Sequence, residues 1–378
     1  MRIELTASQR EAQEKFRDFV QSEVVPQADR FDREEKISAE IIQRIAQRGY
    51  LGASVPAQYG GMGLSMVTCG LLHEEFGSGC SSLRSLLTVH GMVCHTLHKW
   101  GSKAQKEHLL PLLARGELIA AFGLTEPEAG SDAGSIETSA QEVDGGYLLN
   151  GRKKWITFGQ IADLFLVFAR CERGPAAFLL PRETPGLKIT PIQGMLGVRA
   201  SMLAQLDLDD CKVPKDNLVG RVGFGVSYLA SSALSYGRYS VAWGCVGIAQ
   251  ACLDACFNYI GQRRQFGLYL KDHQLIQQMM TEMITGIKAA RLLCLQAGYA
   301  KDEGEPEEIM EAMIAKYFAA RLANQAARDA VQIHGANGCC SDFPVQRYLR
   351  DAKIMEIIEG STQIQQITIA RYAERREG

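Results

Sequence analysis

A glutamate near the C-terminus is the residue best suited to proton transfer. Glu359 is followed by Gly360 and lies just after the apolar residues Met355, Ile357 and Ile358. A carboxyl group in such surroundings has a raised pKa, which a general base for a weakly acidic C–H needs. Taken alone, Glu359 is more simply interpreted as a helix cap or a solvated acid, so the assignment needs support from other segments.

Two segments in the middle of the chain suit a flat, polar ligand. Residues 122–132, with the sequence FGLTEPEAGSD, form a loop whose N–H groups and hydroxyls can bind a polar group. Thirty residues after Thr125, Trp155-Ile156-Thr157 adds an aromatic plane and another hydroxyl. Each segment has an ordinary alternative, a surface turn for the first and a core tryptophan for the second.

Two C-terminal segments add features of a nucleotide site. Arg263-Arg264-Gln265-Phe266-Gly267 combines cations suited to a diphosphate with an aromatic wall, although a solvated helix end would have the same composition. Residues 332–338, with the sequence QIHGANG, form a glycine-rich break where backbone can approach a ligand closely. His334 within this break is interpreted as a packing residue rather than a base.

An arginine interrupts an otherwise apolar helix. Arg84 lies within Ser81-Ser82-Leu83-Arg84-Ser85 and is followed by Leu86, Leu87 and Val89. A buried arginine requires an anion. That anion is either an acid of the protein or a carboxylate of the substrate, and both interpretations stay open.

The hydrophobic periodicity divides the elements that position these residues into three parts. Residues up to about 115 have the period of helices, whereas short β runs separated by turns such as Asp144-Gly145-Gly146 begin near Ala120. No GxGxxG follows a strand, which argues against a Rossmann unit. After Gly225 four stretches are long enough for bundle helices: 226–261, 274–301, 307–335 and 344–376.

The sequence therefore predicts an α+β protein of three domains. They are an N-terminal α-helical domain at 1–118, a middle β-barrel-like domain at 119–225 and a C-terminal four-helix bundle at 226–378. A chain of 378 residues is long enough for two or three domains.

Composition argues against several classes of protein. A net charge of −2 provides no overall field for nucleic acid or anionic membranes, and no run of about 18 apolar residues predicts a membrane span. The N-terminus has no signal-peptide core. The eleven cysteines contain no CxxC pair and are interpreted as reduced core thiols, Cys339 and Cys340 included. A cytoplasmic protein without a metal site is expected.

Together these segments, in identity, order and separation, resemble the acyl-CoA dehydrogenase family over essentially the whole chain. Tyr59-Gly60-Gly61 and the α–β–α layout belong to the same resemblance. It implies an acyl-CoA dehydrogenase fold with FAD between the β domain and the C-terminal bundle. Because a neighbouring subunit holds the adenine end of FAD in this family, a homodimer or homotetramer is expected.

The resemblance also assigns roles to individual residues. Ser131 would lie toward the phosphopantetheine arm, and Arg238 would contribute to the substrate site. The expected isoalloxazine environment comprises Phe122, Leu124, Thr125, Trp155, Ile156 and Thr157. The expected contacts to the pyrophosphate and adenosine are Arg263, Gln265, Phe266, Gln274, Gln332, Gly335, Ser361 and Gln363. Ala336 replaces a second glycine often found in this family, which weakens the expectation of close backbone approach there.

By the same resemblance, Glu359 is the catalytic base. It would remove the α-proton of a thioester while a hydride leaves the β-carbon for the flavin. Some relatives carry their base just before Arg238, but that position is Gly237 here, so Glu359 has no competitor. Electron-transfer flavoprotein or oxygen would then accept the electrons.

The sequence specifies the substrate less closely than the cofactor and the base. In glutaryl-CoA dehydrogenases an arginine matching Arg84 faces the distal carboxylate of the acyl group. Segments 79–85, 236–248 and 348–361 more closely resemble dehydrogenases that make hydroxymalonyl, methoxymalonyl or aminomalonyl units on an acyl carrier protein. We therefore expect a small acyl group on a carrier protein, with a glutaryl-CoA or short-chain acyl-CoA dehydrogenase as the alternative. A non-catalytic DNA-binding flavoprotein of the same fold is a remote third possibility, because acids offset the C-terminal arginines.

Overall fold

The N-terminal part of the chain is an assembly of helices. The computed structural model describes residues 4–377. The first helix is capped by Thr6, whose hydroxyl accepts from Gln9 N at 3.2 Å while the Gln9 side chain accepts from Thr6 N at 2.9 Å. Six helices form this part: α1 (Ala7–Phe19), α2 (Val25–Glu34), α3 (Ala39–Gln47), α4 (Met66–Gly79), α5 (Ser81–Trp100) and α6 (Lys103–Ala114).

The middle of the chain is one eight-stranded sheet, which confirms the predicted sheet-rich part. Its strands are β1 (Ala120–Gly123), β2 (Ser139–Val143), β3 (Gly146–Ile156), β4 (Leu164–Cys171), β5 (Gly174–Pro181), β6 (Leu187–Pro191), β7 (Ala204–Pro214) and β8 (Leu218–Val219). The strand order is β6-β7-β3-β2-β4-β5-β8, and β1 pairs with β4 in parallel beside this path. The strands β6 and β8 therefore lie at opposite ends of the strand order.

A β-bulge in β3 turns Trp155 away from the sheet. Lys153 pairs with Leu206 of β7 and Ile156 pairs with Ala204, so β3 has one extra residue in this interval. Trp155 lies inside the bulge with φ of 63°, and it is 44% exposed although Lys153 and Ile156 are buried. Bulges commonly re-aim a side chain beside a functional site, and this one presents an indole ring to the outside of the sheet.

The C-terminal part is helical but does not contain the four uninterrupted helices predicted. The helix α7 (Ser231–Ile260) follows a wide helical turn at Gly225–Ala230. The stretch predicted as one helix over 344–376 is two helices, because Glu359 and Gly360 have φ of 56° and 96° and cannot continue a right-handed helix. The remaining elements are β9 (Arg264–Gln265), β10 (Leu268–Tyr269), α8 (Gln274–Glu303), α9 (Glu308–His334), α10 (Val345–Met355) and α11 (Thr362–Glu377).

The most apolar helical segment is the central one. Within residues 4–377, Gly225–Ile260 is the single segment long and apolar enough, by length and composition alone, to cross a membrane. The expectation that no such segment exists is wrong by this criterion. Its apolar window is 78% buried inside the protein, where α4, α5, α8 and α9 pack around it. The composition of α7 therefore fits a core helix.

The cysteines follow the expectation except at one place. Nine of the eleven are free and buried. Cys339 and Cys340, interpreted from the sequence as core thiols, are exposed. They lie at the end of the short helical segment Gly335–Cys339, between α9 and α10, where the chain leaves the packed bundle.

Close contact between α4 and α7 depends on glycines. A Cβ added to Gly247 would lie 2.1 Å from the Glu74 carbonyl oxygen and 2.7 Å from Ser78 N. From the other helix, a Cβ on Gly77 would lie 2.5 Å from Gly244 O. Because backbone atoms cannot turn aside as the ends of flexible side chains do, these glycines fix the distance between the two helices and hence the position of α7.

Replacing one of these glycines should loosen the helix pair. We expect Gly247→Ala to lower the free energy of unfolding by about 2 kcal/mol, because the added methyl group overpacks a backbone contact. Gly261→Ala is the control, since the nearest atom to its new Cβ would be Phe257 O at 3.6 Å, an ordinary van der Waals contact. Urea denaturation of the two variants measures the difference, and equal stabilities would contradict the packing argument.

Candidate active site

Glu359 occupies the turn between α10 and α11. A Cβ added to Gly237 of α7 would lie 2.5 Å from Glu359 Oε2, so the turn directs the carboxylate onto this helix. Position 237 therefore provides the space for the acid. The left-handed backbone at Glu359 is uncommon for a residue with a side chain, and it is maintained by the surrounding contacts.

Hydrogen bonds to the backbone hold this turn. Arg238 Nε donates to Glu359 O at 3.0 Å. Lys316 Nζ and Gln365 Nε2 both donate to Gly360 O, at 2.8 and 3.0 Å. Oε2 of Glu359 is buried and has no hydrogen-bond partner in the described part of the chain. The base is thus fixed through its backbone, and one of its oxygens stays free for a substrate.

The surroundings tune Glu359 for proton transfer near neutral pH. Burial raises the pKa of Glu359 to about 7, although the positive charges of Arg238, Lys316 and Arg84 oppose the rise. Burial also lowers the pKa of Lys316 to about 8, so this lysine is still largely protonated at pH 7. A carboxyl group with this pKa is a far stronger base than a solvated glutamate, as expected from its apolar sequence context.

Arg84 is a fully buried cation without an anion. Its Nη1 donates to Thr88 Oγ1 at 2.8 Å and to Ser240 Oγ at 3.4 Å, and its Nη2 lies 3.6 Å from Met355 Sδ. The Nε atom has no partner among residues 4–377, and no carboxylate there forms an ion pair with the guanidinium. Burial lowers the pKa of Arg84. The charges of Glu359 and Asp351 partly oppose this effect, but neither acid forms an ion pair with Arg84 in the described chain.

Arg84 and Glu359 face the same side of α7. A Cβ on Gly244 would lie 2.2 Å from Arg84 Cδ, just as one on Gly237 would contact Glu359. The guanidinium also reaches Ser240, which is three residues, or about 4.5 Å along the axis, from Gly237. The guanidinium of Arg84 and the carboxylate of Glu359 thus reach α7 at positions about one helical turn apart.

The segments predicted to contact the flavin ring meet beside the base. Phe122 packs against a small cluster of Met92, Ala233 and Tyr236. Met92 Sδ would lie 3.0 Å from the same added Cβ on Gly237, so this cluster borders Glu359. Leu124 and Ile156 are buried, whereas Thr125 and Thr157 are half-buried. Lys154 N donates to Thr125 O at 2.9 Å and joins the Thr125 loop to the strand that carries Trp155.

A buried ion pair, not predicted from the sequence, supports these two segments. Lys153 Nζ donates to Glu126 Oε1 at 2.6 Å and to Leu124 O at 3.1 Å. The backbone N–H groups of Glu137 and Thr138 also donate to the Glu126 carboxylate. Burial lowers the pKa of Lys153 to about 8 despite the opposing effect of Glu126. Burial would raise the pKa of Glu126, but these hydrogen bonds outweigh it and the pKa is lowered.

The residues predicted to bind the dinucleotide half of FAD lie on the surface of the single chain. Phe266 is 95% exposed with φ of 52°, at the tip of the β9–β10 hairpin. Ser361 is half-buried in the Glu359 turn. Ser131, which the resemblance places toward the phosphopantetheine arm, is exposed. The structure also leaves the remaining residues predicted to bind the dinucleotide exposed and does not bring them against the Glu359 side chain: Arg263, Gln265, Gln274, Gln332, Gly335 and Gln363. Their roles stay predictions that depend on a neighbouring subunit.

A half-buried glutamate whose Oε2 is buried and unpaired in the described chain, placed against α7 and beside the cluster that Phe122 joins, can act as a general base. Three family models match in order: the acyl-CoA dehydrogenase N-terminal domain at residues 6–117, the middle domain at 121–211 and the C-terminal domain at 223–373. The chain belongs to the acyl-CoA dehydrogenase family, whose members are flavin-dependent oxidoreductases that act on thioesters and bind FAD.

Several relatives are similar over almost their full length. Glutaryl-CoA dehydrogenase of Desulfococcus multivorans is 37% identical over 368 residues, which cover 95% of this chain and 94% of that protein. A solved glutaryl-CoA dehydrogenase in complex with glutaryl-CoA has a TM-score of 0.95 and 36% identity, covering 98% of this chain and 96% of its own.

Two further similar structures are of proteins described for polyketide biosynthesis or for a carrier protein. FkbI, described for biosynthesis of the methoxymalonyl extender unit of the Fk520 polyketide, has a TM-score of 0.88 and 32% identity, covering 96% of this chain and 99% of its own. The prolyl acyl carrier protein oxidase AnaB has a TM-score of 0.94 and 29% identity, covering 98% and 100%.

The buried Lys153–Glu126 ion pair should stabilise the loop at residues 122–132, which is predicted to contact the flavin. We expect Lys153→Met to lower the free energy of unfolding by about 3 kcal/mol, because Glu126 stays buried without its cation. FAD should also dissociate more readily, which gel filtration followed by flavin absorbance measures. Glu126→Gln combined with Lys153→Met removes both charges and should recover most of the stability. Unchanged FAD retention in a folded Lys153→Met variant would contradict this role.

Lys316 should set both the position and the pKa of the base. We expect Lys316→Met to move the acidic limb of the kcat/KM pH profile above its starting value near 7, because a positive charge that favours the carboxylate is lost. Activity requires the ionised form, so the rate at pH 7 should fall and partly recover at pH 8. Lys316→Arg keeps the charge and is the control. A uniform loss of rate at all pH values would instead indicate a purely structural role.

Proposed function

We propose that the protein is an FAD-dependent dehydrogenase of a small acyl thioester that carries, or acquires, an anion at the far end of its acyl group. The observation that supports this substrate class is Arg84, a fully buried cation about one helical turn from the base and without an anion of its own. Removing a charge from water without a partner is costly, so such a cation is retained where a ligand supplies the anion.

The residues present fit a flavin. The Trp155 indole, 44% exposed at a bulge, offers a flat apolar surface. The half-buried Thr157 follows it by two residues, and the half-buried Thr125 lies in the loop hydrogen-bonded to Lys154, so both can add polar contacts. The orphaned Oε2 of Glu359 borders the cluster that Phe122 joins. Arg263 and Phe266 would hold the dinucleotide end in a neighbouring subunit. When bound, the flavin supplies a two-electron acceptor for the hydride that leaves the acyl group.

The side chains of this protein then divide the remaining work. Glu359 removes a proton from C2 of the acyl group, or from a hydroxyl on C3. Met92 and Phe122 keep the surroundings of the base apolar, which maintains its raised pKa. Arg84 holds the distal carboxylate and so orients the short chain across Gly237. In a three-carbon group whose C3 is a hydrated aldehyde, Arg84 would stabilise the carboxylate that forms at C3.

We further propose an acyl carrier protein as the thioester carrier. The similarity to FkbI and AnaB supports this choice, as do the segments around Arg84, Arg238 and Glu359 noted in the sequence. Oxidation of glutaryl-CoA is the second candidate, because Arg84 would serve its carboxylate equally well and because glutaryl-CoA dehydrogenases are among the similar proteins. A homodimer or homotetramer would cover the exposed Phe266 and complete each flavin site.

Three thioesters distinguish the candidates. Purified enzyme is assayed for flavin bleaching with glutaryl-CoA, with butyryl-CoA and with a glyceryl or seryl group on an acyl carrier protein. We expect rapid reduction by the carrier-bound group. Rapid bleaching by either free CoA ester, with little by the carrier-bound group, would overturn the carrier proposal while leaving the thioester dehydrogenase assignment intact.

Arg84 should determine preference for an anionic acyl group. We expect Arg84→Met, which keeps the length of the side chain, to lower kcat/KM for the preferred anionic substrate about 100-fold, because the carboxylate loses its partner. The rate with butyryl-CoA should stay constant or rise. Glu359→Gln is the matched control: it should lose about three orders of magnitude with every substrate while retaining the yellow flavin. Equal losses with neutral and anionic substrates in Arg84→Met would contradict the assignment.

A further inference from the structure

The helix α7 shows in which direction a substrate must extend. Arg84 contacts this helix at Gly244, at the acyl end, whereas Glu359 contacts it at Gly237, at the reacting carbons. The thioester and its carrier lie beyond the reacting carbons, on the side opposite the acyl end. The carrier arm therefore leaves toward the N-terminus of α7, past Ser232, which lies about 7.5 Å along the axis from Gly237.

A basic and aromatic surface lies at this end of α7. We call it the entrance patch and define it as Lys99, Trp100, Lys106, Arg221 and Tyr228. Lys99 Nζ lies 3.4 Å from Ser232 Oγ and 5.8 Å from the centre of the Trp100 ring. The Trp100 and Tyr228 rings are 6.2 Å apart, and Tyr228 is 52% exposed. Three elements thus contribute: the end of α5, the start of α6 and the turn before α7.

The cations of the entrance patch have no anions of their own. Among residues 4–377, no carboxylate forms an ion pair with Lys99, Lys106 or Arg221. The nearest acid in sequence is Glu107, which pairs with Lys103 at 3.7 Å. Burial, followed by the charge of Lys106, lowers the pKa of His98, which shows that this end of α6 faces the end of α5.

Arg221 belongs to the same surface. A Cβ on its neighbour Gly220 would lie 3.9 Å from Trp100 Cβ, so this turn packs against the end of α5. Arg221 itself is exposed. Helix α6 also holds the segment before this turn, because Gln105 Nε2 donates to Asp216 O at 2.7 Å and to Leu218 O at 3.0 Å. The patch is therefore a defined surface and not a set of independent side chains.

We propose that the entrance patch is the docking surface for an acidic carrier-protein domain that delivers the acyl group on a phosphopantetheine arm. This inference rests on the proposed function. The chain as a whole has a net charge of −2, so an acidic partner gains no attraction from overall charge and requires a local basic surface. Three cations without ion pairs around the exposed Tyr228 ring and the half-buried Trp100 ring provide charge complementarity at the rim and apolar contact at the centre.

Charge reversal on the entrance patch tests this docking surface. The variant Lys99→Glu/Lys106→Glu/Arg221→Glu is compared with Lys188→Glu/Lys212→Glu, whose exposed lysines lie on β6 and β7, at the opposite end of the strand order from β8. Each holoenzyme is assayed with the same acyl group on a holo-acyl carrier protein, on CoA and on free pantetheine. Flavin content and Tm confirm that the variants are folded.

We expect the patch variant to raise KM for the carrier-protein substrate at least about tenfold, with KM for the pantetheine thioester unchanged. Added NaCl should raise the same KM in the wild type and have little effect in the patch variant, because the screened attraction is already lost. The β6–β7 variant should behave like the wild type.

Other outcomes separate the two proposals. A wild-type enzyme that prefers the carrier protein, together with a patch variant of unchanged KM, would overturn the docking surface and leave the proposed function standing. A wild-type enzyme with no preference for the carrier protein over pantetheine would overturn the proposed carrier itself. A patch variant impaired with the CoA thioester but not with the carrier protein would assign the cations to nucleotide phosphates and would also overturn the docking surface.

Discussion

A carboxylate oxygen buried without a hydrogen-bond donor, Oε2 of Glu359, is the constraint on which the rest of this structure depends. Such a group is unfavourable in a folded protein, and the surrounding chain holds it in place only through the backbone of the turn. Arg238 and Lys316 supply two of these bonds from α7 and α9, and Gly237 supplies the space. The breaking of the last long helix into α10 and α11 follows from the same requirement.

The two most deeply buried cations outside this turn differ in a way that separates structure from chemistry. Lys153 donates to the Glu126 carboxylate and to the Leu124 carbonyl. Its pairing with Glu126 joins β3 to the loop at residues 122–132. Arg84 has only hydroxyl oxygens and a sulfur atom. A paired buried charge is satisfied by the fold, whereas an unpaired one is satisfied only when something enters. A buried cation therefore indicates a structural role at Lys153 and a ligand-binding role at Arg84.

Local patterns predicted the parts of the molecule that depend on neighbours in sequence. Helical periodicity located α7 to α9, and the apolar surroundings of Glu359 predicted its raised pKa, whereas its role as base came from the family resemblance. The pairing of Glu126 with Lys153 joins residues 27 positions apart, and neither residue alone signals a buried partner. The bulge that exposes Trp155 depends on the register of β3 against β7, and the exposure of Cys339 and Cys340 on where the bundle ends. Such features arise from tertiary packing and cannot be predicted from a short stretch of sequence.

The contact between Gly237 and Glu359 also constrains how this enzyme could change over generations. A second carboxylate at position 237 would compete for the volume that Glu359 Oε2 already fills, since even a methyl group would lie 2.5 Å away. A lineage that relocates its base to α7 must therefore lose the old acid in the same step or pass through a crowded and inactive ancestor. A carboxylate on α7 at position 237 and one at position 359 thus exclude each other sterically in this fold.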